Sequence, residues 1–464
     1  MDATEMAEKI ATQQITSLQA TNIYISHLQK INPRVNCLVE ERFEQARQEA
    51  QSADEQIAKD EARGRLFGVP ISMKESFDVA GMITSGGIPA RKDYIAKEDA
   101  EVVARIRAEG AIILGKTNTP VLCFCQETDN KLYGRTNNPW GLDRTVGGSS
   151  GGEGALIAAG GAAVGVGADI GGSLRFPSHF NGVIGFKTGN RQVSTQGAFP
   201  AMDHPLQDRM MGVGALAKSV RDARMINEII AYTQPGKCLL DDFSVVIPQN
   251  TLKYPANPST IKAIKSATQI LSNHLPVTDE QPPYYQESTV LWQQAMSIGI
   301  PEFCQLANGG QPLNPLPEYL KERMFHSSDL HHYFTWVMFT ANLVKPSNKQ
   351  VQKMENTIRE GDRKLAAYFN QRLLILPVYH CAAPAHGQVI KELFSLTLSY
   401  RRYLPFIAYA NTWGLPSLII PAAEDEHGLP IGLQIISRVG NEDAIFQMGE
   451  ILEQKLRGYK RAKL

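Results

Sequence analysis

Residues 147–189 read GGSSGGEGALIAAGGAAVGVGADIGGSLRFPSHFNGVIGFKTG, and fourteen of the chain's 38 glycines fall in these 43 positions. Glycine is the costliest residue to order, so such clustering makes physical sense where the backbone must take a positive φ or bring its N–H groups close to a ligand. Three chemistries use that arrangement, the first being nucleotide binding and the second a nucleophile elbow. A phosphate-binding loop needs G-x-x-x-x-G-K-[ST], and no lysine follows either glycine pair; a dinucleotide fingerprint needs G-x-G-x-x-G, whereas Gly165, Gly167 and Gly171 give the wrong last interval. Gly147 to Gly151 satisfies the G-x-S-x-G of a nucleophile elbow, but an elbow follows a buried strand, and residues 137–144 are a turn sequence. The third chemistry is an oxyanion hole: Gly171 and Gly172 before Ser173 leave several backbone N–H groups free to converge on one point.

Ser173 is then a candidate nucleophile beside its own oxyanion donors, and it needs a base. No histidine precedes it in the segment, and His179 follows in what reads as a proline-flanked turn. A lysine can substitute. Lys74 ends the apolar strand of residues 68–73, where burial disfavours an ammonium and makes the neutral amine accessible. Glu75 need not cancel this, because successive strand residues face opposite sides.

Outward from this segment, helix and strand alternate. Residues 18–28 carry apolar side chains at helical spacing behind Ser17 as a cap, and 41–59 form a polar helix. Residues 66–73 read as a buried strand, 101–108 as a helix, and 111–114 as a strand closed by Gly115. Near the C-terminus, 373–376, 417–420 and 431–436 read as strands and 441–456 as the last helix. An α/β sheet packed on both faces follows. Residues 232–371 differ, with clustered prolines (Pro255, Pro258, Pro276, Pro282, Pro283, Pro312, Pro315, Pro317) and long polar helices such as 346–370. This is a mostly helical excursion that either shapes a substrate pocket or simply covers the sheet. Its aromatic residues, Trp292 and Trp336 among them, line an apolar channel on the first reading and form a core on the second.

Composition narrows the function. Basic and acidic side chains number 47 each, so the formal charge is zero and gives no bias toward nucleic acid or anionic membrane. Six cysteines in 464 residues make no disulfide scaffold, and Cys123 and Cys125 lack the CxxC spacing of a zinc or redox site. Reduced thiols and a cytoplasmic location follow as the default. The first 30 residues lack the pattern of an export signal, and the most apolar run, 333–344, is too short to span a bilayer. That run reads as a buried or pocket-lining helix, with a surface resting on a membrane as the lesser alternative. His380 and His386 lack a third metal ligand and read as loop histidines.

The run Asp169-Ile170-Gly171-Gly172-Ser173-Leu174-Arg175-Phe176-Pro177-Ser178, with Gly68 to Lys74 upstream, closely resembles the amidase signature family of serine hydrolases, and most of all its fatty acid amide hydrolase branch. The resemblance extends from Ile31-Asn32-Pro33 through residues 115–120 and 134–140 to Gly414-Leu415-Pro416 and residues 428–434. It departs at Phe186 to Arg191, where a proline expected before Thr188 is absent, and in lacking the N-terminal transmembrane segment of mammalian membrane-bound members.

The resemblance implies a single domain over residues 1–464 with the amidase-signature fold, a central mixed, twisted sheet covered by helices on both faces. Its parts would be N-terminal helices (1–60), a catalytic core (61–231), the excursion (232–371), and closing strands with a helix (372–464). It also implies a Ser-Ser-Lys triad: Ser173 as nucleophile, Ser149 as the bridging serine behind a cis peptide bond, and Lys74 as base. The N–H groups of Ile170, Gly171, Gly172 and Ser173 would make the oxyanion hole, and Cys123, Phe124 and Cys125 would approach the acyl pocket, though core packing explains the cysteines equally well. Asp169 and Arg175 are expected to hold the loop rather than react. No metal or cofactor is called for. The expected partner is a small amide, an N-acyl amine or ethanolamide or a fatty or aryl amide with an apolar acyl group. No nucleic acid and no integral membrane segment are expected, and a homodimer is left open. Two alternatives stand beside this: the glutamine-hydrolysing subunit of a tRNA-dependent amidotransferase, which Phe176 and the Ile170-Gly171-Gly172 run fit less well, and a non-catalytic binding protein, which the three intact triad positions disfavour.

Overall fold

The computed structural model describes residues 1–249, 256–395 and 403–464. Among the described residues eleven strands form one sheet: β1 (Leu38–Glu41), β2 (Pro70–Lys74), β3 (Ile112–Thr117), β4 (Gly165–Asp169), β5 (Ile184–Lys187), β6 (Gly212–Ala217), β7 (Ser244–Val246), β8 (Val277–Thr278), β9 (Arg372–Pro377), β10 (Ser417–Glu424) and β11 (Pro430–Ile436). Their spatial order is β1-β3-β2-β4-β6-β5-β10-β11-β9-β7-β8. Pairing is parallel for β3/β2, β2/β4, β9/β7 and β7/β8 and antiparallel elsewhere, so the sheet is mixed, as expected. Strands β2, β3, β4, β6 and β11 are buried at every position. Period-2 alternation is lost when both faces are covered by helices, which is why these strands read as continuous apolar or glycine-rich runs.

Several local readings are corrected. The first long helix is Ser17–Val35, and its cap is Thr16, which forms a capping box with Gln19. Ser17 lies inside the first turn and gives its hydroxyl to the Gly68 carbonyl at 2.7 Å. The N-terminal part is not helices alone, since β1 pairs antiparallel with β3 between them. Gly115 does not close β3 but sits within it: a Cβ there would lie 2.3 Å from the Glu40 carbonyl oxygen, so glycine is what lets β1 approach. Strand β2 starts only at Pro70, because residues 66–69 turn back through a Val69 N–H to Leu66 carbonyl bond. His179 is not in a turn; it is buried in the helix Arg175–Asn181, where burial pulls its imidazole down to about 4.

The excursion contains the helices Pro258–Leu271, Tyr285–Met296, Ile300–Ala307, Pro315–Phe325, His332–Asn342 and Asn348–Tyr368, with Pro258 and Pro315 in first turns where a missing N–H costs nothing. It also supplies β7 and β8, which extend the sheet at one edge. Pro255 lies outside the described residues. Among the described residues no helix is long and apolar enough to cross a membrane.

The sheet positions the site. Because β2 and β4 are parallel neighbours, their C-terminal ends emerge at the same edge, bringing Lys74 beside Asp169 and the loop that follows it. Ligands in α/β sheets bind at such carboxyl ends.

Candidate active site

Lys74 and Ser149 are both buried, and Lys74 Nζ donates to Ser149 Oγ at 2.7 Å. The Gly148–Ser149 peptide bond is cis. A Cβ on Gly148 would lie 2.6 Å from the Cys125 carbonyl oxygen, so this segment is threaded directly against residues 125–127. Ser150 ties the serine segment to the loop after β4: its N–H donates to the Ser173 carbonyl at 2.9 Å, and its hydroxyl bonds both the N–H and the carbonyl of Ala168. The helix Gly151–Ala159 begins at the next residue. Ser173 opens onto the same cavity as Lys74 and Ser149, but its hydroxyl is not hydrogen-bonded to Ser149 here.

The loop Ile170–Ser173 hangs on Asp169. This carboxylate accepts from the N–H groups of Gly172 (2.9 Å), Leu174 and Arg175, from the Arg175 guanidinium, and from Asn411 Nδ2. Arg175, fully buried, also reaches the Ile407 carbonyl, Gln434 Oε1 and Asn411 Oδ1. Burial alone would raise the Asp169 carboxyl, but the adjacent guanidinium outweighs it and holds the group well below the usual carboxylate range. The two side chains are thus bonded to each other, and between them to the backbone of the loop and to the residues behind it. One expected oxyanion donor is corrected: the Gly172 N–H is spent on Asp169 Oδ1. The N–H groups of Ile170, Gly171 and Ser173 have no acceptor among the described residues.

The cavity measures about 220 Å³ and has mainly apolar walls, including Leu122, Phe124, Met202, Trp292, Met296, Val337 and Leu393. Cys123, Phe124 and Cys125 line it. Trp336 does not. Within the helix His332–Asn342, Val337, Thr340 and Ala341 form the i, i+3, i+4 stripe that faces the cavity, while Trp336 turns its ring onto Tyr319 and donates Nε1 to the Phe394 carbonyl at 2.9 Å. His380 pairs with Glu392 and His386 with the Leu142 carbonyl, and among the described residues no group of three or more His, Cys, Asp or Glu is placed to hold a metal. Four contributors went unread in the sequence as parts of the loop's support: Gln126, Trp292, Asn411 and Gln434. Trp292 was read there only as channel wall or core, and Gln126 adjoins the noted Cys125.

Comparison with known proteins adds a family to this geometry. The profile of the Amidase family matches residues 19–446. The chain belongs to the amidase signature family. It is 31% identical to fatty-acid amide hydrolase 2-B of Danio rerio over 99% of this chain and 90% of that protein, and 30% identical to an indoleacetamide hydrolase of Bradyrhizobium diazoefficiens over 98% and 86%. The solved structure of a 6-aminohexanoate cyclic dimer hydrolase superposes with a TM-score of 0.82 at 26% identity, covering 100% of this chain and 98% of that one. The protein is thus an amide-hydrolysing enzyme with the amidase-signature fold.

Beneath the amidase's serine segment lies a buried carboxyl, Glu153, which accepts from Ser72 Oγ at 2.6 Å. Burial pushes it up from near 4.5 to about 8, against the opposing pull of Ser72, Thr117 and Lys74. The folded state therefore binds this proton more tightly than the unfolded chain. Stability from this group is full below about pH 4.5, falls as pH rises toward 8, and is level above that. In Glu153→Gln this part of the slope disappears, so the difference in unfolding free energy between variant and parent, measured by urea titration across pH 5–9, shifts in the variant's favour as pH rises. A difference that does not change with pH contradicts the assignment.

Proposed function

We propose that this amidase cleaves carboxylic amides through an acyl-enzyme on Ser173, with Ser149 as proton bridge and Lys74 as base. Lys74 takes the Ser149 proton, and Ser149 takes that of Ser173. The Ser173 oxygen attacks the amide carbonyl, and the oxyanion forms against the N–H groups of Ile170, Gly171 and Ser173. As the C–N bond breaks, the relay returns its proton to the departing nitrogen. Water, activated the same way, then releases the acid. The observation that carries this reading is the 2.7 Å Lys74–Ser149 hydrogen bond, made at the wall of a cavity onto which Ser173 also opens. The missing Ser149–Ser173 contact is the link that tightens as a substrate carbonyl arrives.

Apolar walls support a substrate with an apolar acyl part, such as a fatty or aryl amide. Glutamine, the substrate of an amidotransferase subunit, carries a carboxylate and an ammonium that need polar partners. Around this cavity Asp169 is committed to Arg175 and Lys74 to Ser149. The test is a p-nitroanilide series of increasing acyl length. Each added methylene that finds an apolar wall raises kcat/KM about fourfold, the equivalent of ~0.8 kcal/mol per buried CH₂, until the cavity is full. A profile flat in chain length, with glutamine turned over instead, overturns the substrate assignment.

A further inference from the structure

The loop Ile170–Ser173 is held by its carbonyls as well as by Asp169. Trp292 Nε1 donates to the Ile170 carbonyl at 2.7 Å, and Gln126 Nε2 donates to the Gly171 carbonyl at 3.1 Å. Trp292 also lies flush on the loop, since a Cβ on Gly171 would sit 2.4 Å from its Cζ2. The indole comes from the helix Tyr285–Met296 in the excursion, 122 positions away in sequence from Ile170. That helix is tied down around the indole. Gln207 Nε2 donates to the Ala295 and Ile298 carbonyls, Thr412 Oγ1 to the Ser288 carbonyl, and Tyr409 to the Pro283 carbonyl.

In a trans peptide the C=O and the following N–H point in opposite directions. The Ile170–Gly171 and Gly171–Gly172 bonds are trans. Fixing the Ile170 carbonyl on the indole therefore fixes the direction of the Gly171 N–H, and fixing the Gly171 carbonyl on Gln126 directs the Gly172 N–H to Asp169. A hydrogen bond received at the carbonyl also polarises its peptide and makes the attached N–H a stronger donor. We propose that Trp292 is a positioning residue for the oxyanion loop, setting the orientation and strength of the Gly171 N–H from a helix of the excursion. The proposal rests on Ser173 being the nucleophile.

The test compares Trp292→Phe with the parent on a decanoyl p-nitroanilide, with Ser173→Ala measured alongside. Phenylalanine keeps an aromatic ring on the helix and removes the N–H together with part of the indole's bulk, and the comparison of ketone with acid affinity separates the two losses. Deleting an oxyanion donor outright costs ~100- to 1000-fold in kcat, so loosening one is expected to cost about 10- to 100-fold. KM should stay within about twofold, since the interaction acts in the transition state. The inhibition constant of the matching trifluoromethyl ketone, which forms a tetrahedral adduct, should rise by the same factor as kcat falls, while that of decanoic acid holds. If Ser173→Ala retains turnover, the underlying reading fails. If Ser173→Ala is inactive yet Trp292→Phe keeps parental kcat, or loses ketone and acid affinity equally, the positioning role is overturned and Trp292 is only wall. Should Trp292→Phe not fold, the replacement of Trp292 by β-(3-benzothienyl)alanine, which keeps the indole's shape and puts sulfur in place of the N–H, is judged by the same criteria.

Discussion

Ser173→Ala is expected to lower kcat by roughly 10⁴-fold or more, the scale seen when a serine nucleophile is removed from an activated relay. Fluorophosphonate labelling should vanish with it. The fold should not suffer, because the structural hydrogen bond of Ser173 is made by its carbonyl, to the Ser150 N–H, and not by its hydroxyl. Melting temperature and far-UV dichroism should therefore match the parent. Residues of one relay act as a unit, so the Ser173→Ala, Lys74→Ala double variant should be barely slower than Ser173→Ala alone. Parental turnover by Ser173→Ala, or undiminished labelling, removes the proposed chemistry while leaving the family intact.

Arg175→Met is expected to have the largest effect on stability. The guanidinium is wholly buried and meets the equally buried Asp169 at 3.0 Å. Removing one partner of a buried pair leaves an uncompensated charge and costs about 3–5 kcal/mol. Here Asn411 and Gln434 also lose a donor, which places the cost toward the upper end. The urea midpoint should fall with the slope unchanged. Activity should fall further than stability explains, because Asp169 orients Gly172, Leu174 and Arg175 at the nucleophile. Pairing the change with Asp169→Leu should restore part of the stability but not the turnover, since the loop then has no anchor. A single variant as stable as the parent shows that the pair is not what holds the loop.

How much of this was legible depends on the range over which each feature is encoded. The glycine-serine segment carries its chemistry in local spacing: Gly171-Gly172-Ser173 reads as donors beside a nucleophile, and Lys74 after an apolar run reads as a buried amine. The structure brings Lys74 onto Ser149 at 2.7 Å. Helices such as Glu101–Ala108 and strands such as Pro430–Ile436 were recognisable because apolar periodicity is a local property. The short strands β1, β7 and β8 were not, because a strand of two to four residues exists only through the hydrogen bonds its neighbour supplies.

The amino-acid sequence by itself thus determined the class of fold, from residue types at short intervals, and by resemblance the family, and it named Lys74, Ser149 and Ser173 as candidates. Only the tertiary structure decided which N–H groups the loop keeps available, that Trp292 rather than Trp336 reaches the cavity, and that Asn411 and Gln434 brace Arg175 from 236 and 259 positions away. The physical reason is direction. Spacing along a chain says which groups are near one another locally, but where a peptide plane or an indole N–H points is set by hydrogen bonds from segments that become neighbours only when the sheet closes.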